Sequence, residues 1–354
     1  MLKAAARARN AGLPVRLTSA EIKEVFTAGN AMSLSNALRA VDPAKAGGLT
    51  VKLWGSAGLP RNAVAYPWNG ASKNGGNGAA VHCTVPHGNI ILYVGNNDGA
   101  TSFSPYAQTD APTPDVLPDS LWATCGWGRG GPGDYFHGGA GSGTGITDSS
   151  GALIAVAGGG SSGGAPSGSY ATSAGVGVDA GAIANGAGKG GQGYSGWNSG
   201  FVSFGGDGTL TAGGDAPAQR SDQAGSHGGG AGADGSGGGG GCNGTNSGSW
   251  PTQTGGTGGT GGANGTSGTG TGLNSGYGYG KNDPNRPGWG GCGNGGGGGG
   301  YGGGGGGGYS YGCGGSGSSL VPAGGTLDIA VNDADTDRSG AGSSNAEGRA
   351  VVIY

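Results

Sequence analysis

Glycine supplies 97 of the 354 residues, several times its usual share of about 7%. Only 33% of the residues are hydrophobic and 10% are charged. Because glycine buries no side chain and loses the most entropy on ordering, this composition argues against a large enzyme with a packed core. Collagen is also excluded, since it needs glycine at every third position with abundant proline, and this chain has 16 prolines.

The net charge of −3 is unevenly distributed along the chain. Residues 1–52 carry eight Lys and Arg residues against three Asp and Glu residues. A basic N-terminal segment could bind nucleic acid, but charges scattered as widely as these are more typical of a solvated helical face. We therefore expect no nucleic-acid partner.

Residues 1–46 are the only part of the chain whose pattern predicts helices. Ser19 caps a first predicted helix, and Met32 to Arg39 predict a second one that begins after Gly29. Two helices of about two turns each are not stable alone, so we expect this segment to dock on another protein. The predicted docking residues are Ile22, Phe26, Met32, Leu34, Leu38 and Arg39.

From Gly47 onward the hydrophobic pattern changes to the two-residue period of strands. A hairpin is predicted around Pro86-His87-Gly88, and strands also lie beyond the most glycine-rich block. This arrangement predicts a β-sandwich, formed by residues 47–157 and 320–354, with a large insertion. The predicted strands are 49–54, 79–85, 89–95, 121–125 (the weakest candidate), 152–157, 326–331 and 349–354.

The insertion, residues 158–319, contains 68 glycines in 162 residues. Glycine recurs at every third position in 229–244 and again in 256–268. Three residues per turn is the period of a polyproline-II helix, and glycine along one face lets neighbouring helices approach and share hydrogen bonds. The alternative is a flexible linker, although interspersed tryptophans and the return to a sheet argue against it. We predict a polyproline-II helix bundle inserted in the sandwich.

Two resemblances give this organisation a context. The segment LTSAEIKEVFTAGNAMSLSNALRA resembles a short module of phage tail-tip and tail-fibre proteins with the pattern "lsLSdl…fg…ISLSdyyr". The remaining chain is similar to the glycine-rich domain of actinobacteriophage minor tail proteins, and it resembles the extracellular glycine-rich domain of the anaplastic lymphoma kinase receptor family. The segments that carry this resemblance are LTVKLWGSAG, IILYVGNND, ALIAVAGGGS and GRAVVIY.

The resemblance implies a mostly β fold, a jelly-roll-like sandwich that carries a polyproline-II glycine bundle, in a structural protein of a virion. Leu59-Pro60-Arg61 and Asn96-Asn97-Asp98 stand where the pattern has glycines, so we expect ordinary loops there. We expect the N-terminus to bind other phage tail proteins in the tail tip or tail fibre, after synthesis in the host cytoplasm. A homo-oligomer is expected, with a trimer favoured.

Aromatic residues stud the C-terminal part of the glycine block. As an alternative function, a host-receptor-binding adhesin would use them to contact a cell-wall glycan or protein. The competing structural hypothesis is that they plug the junction between the bundle and the sandwich. A third class, an extracellular receptor or matrix domain, is disfavoured because MLKAAARARNAGL lacks the apolar stretch of a secretory signal. The candidate receptor contacts are Tyr277, Tyr279, Trp289, Tyr301, Tyr309 and Tyr311.

Few residues suggest chemistry. Asp333, Asp335 and Asp337 resemble the opening of a calcium loop, but Arg338 and Ser344 stand where an EF-hand needs glycine and glutamate. They form a weak calcium candidate, and the alternative is a solvated acidic loop. No nucleophile elbow or phosphate loop is present, so we predict a protein that is not an enzyme, with no catalytic residues and no cofactor.

His82, Cys83 and His87 lie near one another in the sequence. Strand alternation directs His82 and Cys83 to opposite faces, so we expect no shared metal. The five cysteines form no CxxC pair, and their pairing does not follow from the sequence. Apolar runs are far shorter than the ~20 residues of a membrane-spanning helix, so no membrane insertion is expected.

Overall fold

The computed structural model describes residues 23–33, 48–60, 74–86, 89–99, 123–131, 138–163, 179–180, 192–195, 201–204, 297–304, 315–343 and 345–353. These residues form a mostly β fold in which every strand pair is antiparallel. Within them, eleven strands occur in chain order: β1 (Lys23–Phe26), β2 (Gly29–Ser33), β3 (Leu49–Trp54), β4 (Ala79–Val85), β5 (Ile90–Val94), β6 (Thr144–Asp148), β7 (Leu153–Ala157), β8 (Gln192–Ser195), β9 (Phe201–Phe204), β10 (Thr326–Ile329) and β11 (Arg349–Ile353).

The strands form three sheets. Sheet A has the order β1-β11-β3-β4-β10, sheet B has the order β2-β5-β6-β7, and β8 pairs with β9. The first 33 residues therefore contribute an edge strand to each of the two large sheets. The last strand, β11, lies inside sheet A between β1 and β3.

A hydrophobic core draws side chains from sheets A and B. In β3, Leu49, Val51 and Leu53 are fully buried, whereas Thr50 between them is exposed. The same two-residue alternation places apolar side chains of the other strands on the core side. The buried cluster is Leu49, Val51, Leu53, Ala79, Val81, Cys83, Val85, Ile90, Leu92, Val94, Ile146, Ala155, Ala157, Ala180, Ala350 and Val352.

The prediction of N-terminal helices is wrong for the described residues 23–33, which form β1 and β2. Phe26 lies opposite Ala350 of β11 and packs against the core. Pairing with distant strands outweighs the local helix preference, which is worth only a fraction of a kcal/mol per residue. The rest of the predicted helical segment lies outside the described residues.

The predicted hairpin around Pro86 is also wrong. The two strands that flank it belong to different sheets, since β4 pairs with β3 and β10 whereas β5 pairs with β2 and β6. The link between them therefore connects sheet A to sheet B. The hairpin in this part of the chain is β6–β7, whose turn is closed by Asp148 Oδ1 accepting from the amides of Ser150 and Ala152 at 2.8 and 2.9 Å.

Most other strand predictions are confirmed. The predicted strands at 49–54 and 79–85 match β3 and β4, and the predictions near 90, 153 and 349 match β5, β7 and β11. The strand predicted at 326–331 ends at Ile329, where a 3₁₀ turn (Ala330–Asn332) begins. Residues 123–125 form no strand, so the weak candidate at 121–125 is wrong in its described part. The strands β6, β8 and β9 were missed, and the pair β8–β9 lies within the block predicted to form polyproline-II helices.

Strand direction gives the two sheets two distinct poles. At one pole, three strands end (β3, β5 and β7) and three strands begin (β4, β6 and β11). Glycine-rich segments that extend from both sheets hydrogen-bond to one another there, and we call this end the glycine pole. At the other, Lys23 lies opposite Ile353, so the chain enters β1 and leaves β11 there. We call this the terminal pole. Ser33, the last residue of β2, lies there too because it pairs with Ile91 near the start of β5.

Beyond the glycine pole, backbone segments pack into what we call the glycine lattice: residues 55–59, 75–78, 95–97, 126–131, 138–143, 158–163, 297–304 and 315–318. Hydrogen bonds in it recur at every third residue. In segment 138–143, the amides of Gly138 and Gly141 each donate to a carbonyl in residues 158–163 at 2.9 Å. The amides of Ala140 and Gly143 each donate to a carbonyl in residues 126–131. One segment thus bonds to different neighbours on different sides, unlike a strand, whose bonds follow a two-residue period.

Glycine is required in the lattice because neighbouring backbones leave no room for a side chain. A Cβ atom at Gly58 would lie 1.9 Å from Ser161 O, and one at Gly299 would lie 1.9 Å from Gly128 O. Where serine replaces glycine, its hydroxyl is used as an acceptor: Ser142 Oγ accepts from Gly130 N at 3.0 Å. The glycine runs at 229–244 and 256–268, which carry the period in the sequence, lie outside the described residues.

The expectation of ordinary loops after β3 and β5 is wrong for Leu59, Asn96 and Asn97, which belong to the lattice, whereas Arg61 lies outside the described residues. Leu59 donates its amide to Gly139 O at 2.7 Å. Asn97 is buried, and its side-chain Nδ2 donates to Ala57 O at 3.0 Å and to Asn345 O at 2.8 Å. The asparagine amide therefore supplies hydrogen bonds that make its burial tolerable.

We expect Gly299→Ala to lower the free energy of unfolding by about 2 kcal/mol or more, because its Cβ can be accommodated only if the backbone of residue 128 moves. Urea denaturation of the full chain measures this change. Gly151→Asn is the control, since Gly151 has open space around it and a φ of +88°, which asparagine tolerates. It should change the stability by less than about 0.5 kcal/mol; equal stabilities of the two variants would contradict the packing argument.

Candidate functional site

Residues 330–343, which we call the aspartate loop, follow β10 and lie over the outer face of sheet A. Asp333 Oδ1 accepts from the amide of Asp335 at 3.0 Å, and Asp335 Oδ1 accepts from the amide of Asp337 at 2.9 Å. Each carboxylate thus closes a turn with the backbone two residues ahead, a habit of aspartate in turns. A second 3₁₀ turn, Thr336–Arg338, follows, and Ser339 ends it with a left-handed φ of 49°.

Two lysines hold the free oxygens of these carboxylates. Lys52 Nζ of β3 lies 2.5 Å from Asp335 Oδ2 and 2.8 Å from Asp337 Oδ2. Lys23 Nζ of β1 lies 2.6 Å from Asp337 Oδ1. Alternation in β3 explains the position of Lys52, since its neighbours Val51 and Leu53 face the core. The loop therefore binds an edge strand and a central strand of sheet A at once.

Asp333 is bound by a third strand and by an aromatic ring. Its Oδ2 accepts from Trp54 Nε1 at 2.6 Å and lies 3.0 Å from His82 Nε2 of β4. The Trp54 and His82 rings meet edge to face with centroids 5.5 Å apart. Cys83 lies on the other side of β4 in the core, so the predicted opposite orientation of His82 and Cys83 is confirmed. His87 lies outside the described residues.

The ionised forms of this cluster stabilise one another. Burial would raise the pKa of Asp335, but hydrogen bonds from Lys52 and from the Asp337 amide outweigh it and hold that pKa below its ordinary value. Hydrogen bonds from Lys23 and then Lys52 lower the pKa of Asp337. Burial would lower the pKa of Lys52, but its two aspartate partners raise it above its usual range.

A calcium ion would have to compete with these lysines. Their ammonium groups lie against oxygens of Asp335 and Asp337 that a cation would use. Among the described residues, no group of three or more His, Cys, Asp or Glu side chains is arranged to hold a metal ion. A solvated acidic loop does not describe the site either, because the three side chains are only 12 to 20% exposed.

The aspartate loop also covers a small apolar cluster on the outer face of sheet A, formed by Trp54, Ala80, Ala330, Ala341 and Val351, with Ile353 beside it. It further reaches the glycine lattice, because Gly342 O accepts from Gly78 N at 2.8 Å, and Ala330 N donates to Gly78 O at 2.8 Å. The loop therefore connects the charged cluster on the sheet with the root of the lattice.

Of the six aromatic residues predicted as receptor contacts, Tyr301 alone lies within the described residues. It is half-buried and packs against Tyr93, Trp127 and Val156 on the outer face of sheet B. The Tyr93 and Trp127 rings meet at a steep angle of 68° with centroids 5.2 Å apart. Tyr93 and Trp127 were not predicted as site residues. The available sequence signals were the alternating position of Tyr93 in β5 and the position of Trp127 directly after Cys125-Gly126.

The predicted docking residues fall mostly outside the described part of the chain. Phe26 packs against the core of the two sheets, which removes most of its side chain from any docking surface. Met32 lies in β2. Ile22, Leu34, Leu38 and Arg39 lie outside the described residues.

Two cysteines are described, and both are buried free thiols. Burial raises the pKa of Cys83 to about 11. Burial, together with the charges of Asp98 and Glu347, raises the pKa of Cys125 to about 12. Neither thiol is therefore a ready nucleophile. Cys242, Cys292 and Cys313 lie outside the described residues.

No protein-family model matches this sequence, and the search of curated proteins found no match. Within the part of the chain that the structure describes, no helix is long and apolar enough to cross a membrane.

We expect the free energy of unfolding to decrease both at acid pH, which we call the acid limb, and at alkaline pH because of this cluster. Because the pKa values of Asp335 and Asp337 are lowered by folding, their contribution is present above about pH 4 and is lost as pH falls through the lowered values. Because the pKa of Lys52 is raised, its contribution is present below about pH 10 and is lost as pH rises through the raised value.

Lys52→Met should therefore lower the free energy of unfolding by about 1–2 kcal/mol at pH 7 and reduce the slope of the acid limb. Denaturant unfolding between about pH 3 and 10 measures both effects. Lys23→Met is the matched control, because the Lys23 side chain is 40% exposed and its ion pair should contribute less than about 1 kcal/mol. An unchanged acid limb in Lys52→Met would contradict the assignment.

Proposed function

We propose that this chain is a structural component of a phage tail tip or tail fibre, a minor tail protein that takes part in host attachment, and that it is not an enzyme. The resemblance of its N-terminal segment and of its glycine-rich part to phage tail proteins supports the proposal. In addition, Lys23 and Lys52 of sheet A form ion pairs with Asp335 and Asp337 of the aspartate loop, as in a structural cluster.

We also propose that the fold is a jelly-roll-like sandwich from which a bundle of polyproline-II glycine helices projects. The core shared by sheets A and B supports the sandwich. The three-residue period of the hydrogen bonds and the exclusion of Cβ atoms at lattice glycines support the bundle. Such a bundle is stiff because its backbone groups bond to neighbouring segments, and its glycine surface offers few side chains.

The single observation that carries the proposal is the separation of the two poles. The chain enters and leaves sheet A at the terminal pole, whereas lattice segments join sheets A and B at the opposite end. A tail component attached through its N-terminal segment would therefore extend its glycine lattice away from the tail. Partners in this arrangement are other tail proteins at the terminal pole and, at the far end, the host cell surface. The chain would form a homo-oligomer, with a trimer favoured.

Deleting residues 1–22 tests the docking role without removing β1 or β2. We expect the shortened chain to fold with the thermal stability of the full chain and to be missing from purified virions of the phage that encodes it. Mass spectrometry of the particles measures incorporation. The Gly151→Asn variant, altered in the β6–β7 turn at the same pole, is the control and should be incorporated normally. Wild-type incorporation of the shortened chain would contradict docking through this segment.

A second candidate function, a host-receptor-binding adhesin, is favoured by the partly exposed aromatic group on sheet B. Tyr301, Ile91 and Leu153 are each only half-buried there, and an aromatic group of this kind can stack on a sugar ring.

Tyr301→Ala distinguishes this adhesin from a structural plug. If Tyr301 is a plug, the variant should lose about 1–3 kcal/mol of unfolding free energy yet bind host cells normally at temperatures where it is folded. Tyr301→Phe is the matched control, because it keeps the ring and removes only the hydroxyl group. Loss of cell binding by Tyr301→Ala at unchanged stability would support the adhesin and contradict the plug.

A further inference from the structure

Strand β1 is held to sheet A by few apolar contacts. Among the described strands, it is an edge strand of four residues whose one partner is β11. Val25 is 47% exposed, and Phe26 is the β1 side chain that packs against the core. Short edge strands of this kind open more readily than central strands, because little buried apolar surface opposes their detachment.

A charged link supplements this weak attachment. Asp337 joins Lys23 of β1 to Lys52 of β3, since each of its two oxygens lies within 2.8 Å of one ammonium group. The two ammonium groups are thus close neighbours whose mutual repulsion is masked by the carboxylates between them. Asp335 adds the second negative charge that balances the pair.

The other charged groups near this link do not replace those carboxylates. His82 from β4 faces Asp333, which it shares with Trp54. Arg338 closes the aspartate loop on itself by donating from Nη1 to Ala330 O and to Ser343 Oγ. Arg349 of β11 lies one row nearer the glycine pole, opposite Trp54, and is itself cationic. If Asp335 and Asp337 were neutral, Lys23 and Lys52 would lose the negative charges that lie between their ammonium groups.

We propose that the aspartate loop is a charge-dependent clasp, which holds β1 on sheet A while Asp335 and Asp337 are ionised and releases it when both are neutral. Release detaches β1 from β11, while the core formed by β3, β4, β5 and β6 stays intact. The lowered pKa values of both aspartates keep the clasp closed near neutral pH and place its opening in the acid range. The clasp does not depend on the proposed function, but in a tail protein it would control the docking segment.

The double variant Asp335→Asn and Asp337→Asn tests the clasp at pH 7, because asparagine keeps the shape of the side chain and removes its charge. Hydrogen exchange of the full chain, followed by mass spectrometry of peptides, measures local opening. We expect exchange to rise about tenfold or more in peptides covering 23–33 and 330–343 and to stay unchanged in 79–85. Asp328→Asn is the matched control, since the Asp328 carboxylate accepts from the adjacent Ile329 amide and does not touch a lysine of the clasp.

A single variant keeps the test decisive if the double variant unfolds altogether. Lys23→Met removes only the β1 side of the link, so exchange should rise several-fold in 23–33 while 330–343 stays protected. The wild-type chain at a pH below the lowered pKa values of both aspartates should reproduce the pattern of the double variant once exchange rates are corrected for pH. Unchanged protection of 23–33 in both Lys23→Met and the double variant would overturn the proposal.

Discussion

The close approach of backbone to backbone beyond the glycine pole is the constraint on which the rest of the structure depends. Carbonyl oxygens stand about 2 Å from the places where Cβ atoms would be, as at Gly58 and Gly299. A side chain at either position would push two segments apart and break the hydrogen bonds between them. Glycine therefore acts here as the packing residue, and order comes from paired backbone groups more than from apolar side chains. The sheets supply the apolar side-chain core that the lattice lacks, and this core fixes the position from which the lattice segments extend.

The junction between the two kinds of packing explains the polar residues found there. Buried hydroxyl and amide groups, such as those of Ser56, Ser142 and Asn97, bond to backbone groups at the lattice root. The aspartate loop belongs to the same junction, since it pairs with lysines on the sheet and bonds to the lattice at Gly78. The aspartates that resemble a metal-binding loop in the sequence thus help to attach the glycine lattice to sheet A.

The sequence allowed the strands to be predicted better than their pairing. Alternating residues such as Leu49, Val51 and Leu53 indicate a half-buried strand without reference to any other part of the chain. The apolar positions Val25 and Phe26 fit a helix as well as a strand. Their strand conformation is decided by pairing with β11, which lies more than 300 residues away in the sequence. The short link after Val85 fits both a hairpin and an arch between sheets. The strand β6, with the sequence TGITD, carries too few apolar residues to stand out.

The candidate site was predicted in part. Its three aspartates were visible as an alternating group, but the partner Lys52 is separated from Asp337 by 285 residues, so no local pattern connects them. The three-residue period was visible in the sequence where glycine recurs at every third position, in 229–244 and 256–268. In the described lattice it is carried instead by hydrogen bonds of segments that include Leu59 and Asn96, and composition gives no sign of it.

The position of β11 inside sheet A has a consequence for how the protein is made. A ribosome that has completed only residue 348 exposes β3 with one edge unpaired and leaves β1 without a partner. Some lattice hydrogen bonds, such as that from Ala57 N to Ala346 O, also cannot form until the segment that leads into β11 has been synthesised. Contacts this distant in sequence form slowly, because long loops must close before any bond is gained. Sheet A is therefore completed only after residues 349–353 have been synthesised, and until then its unpaired strand edges are exposed to proteases and chaperones.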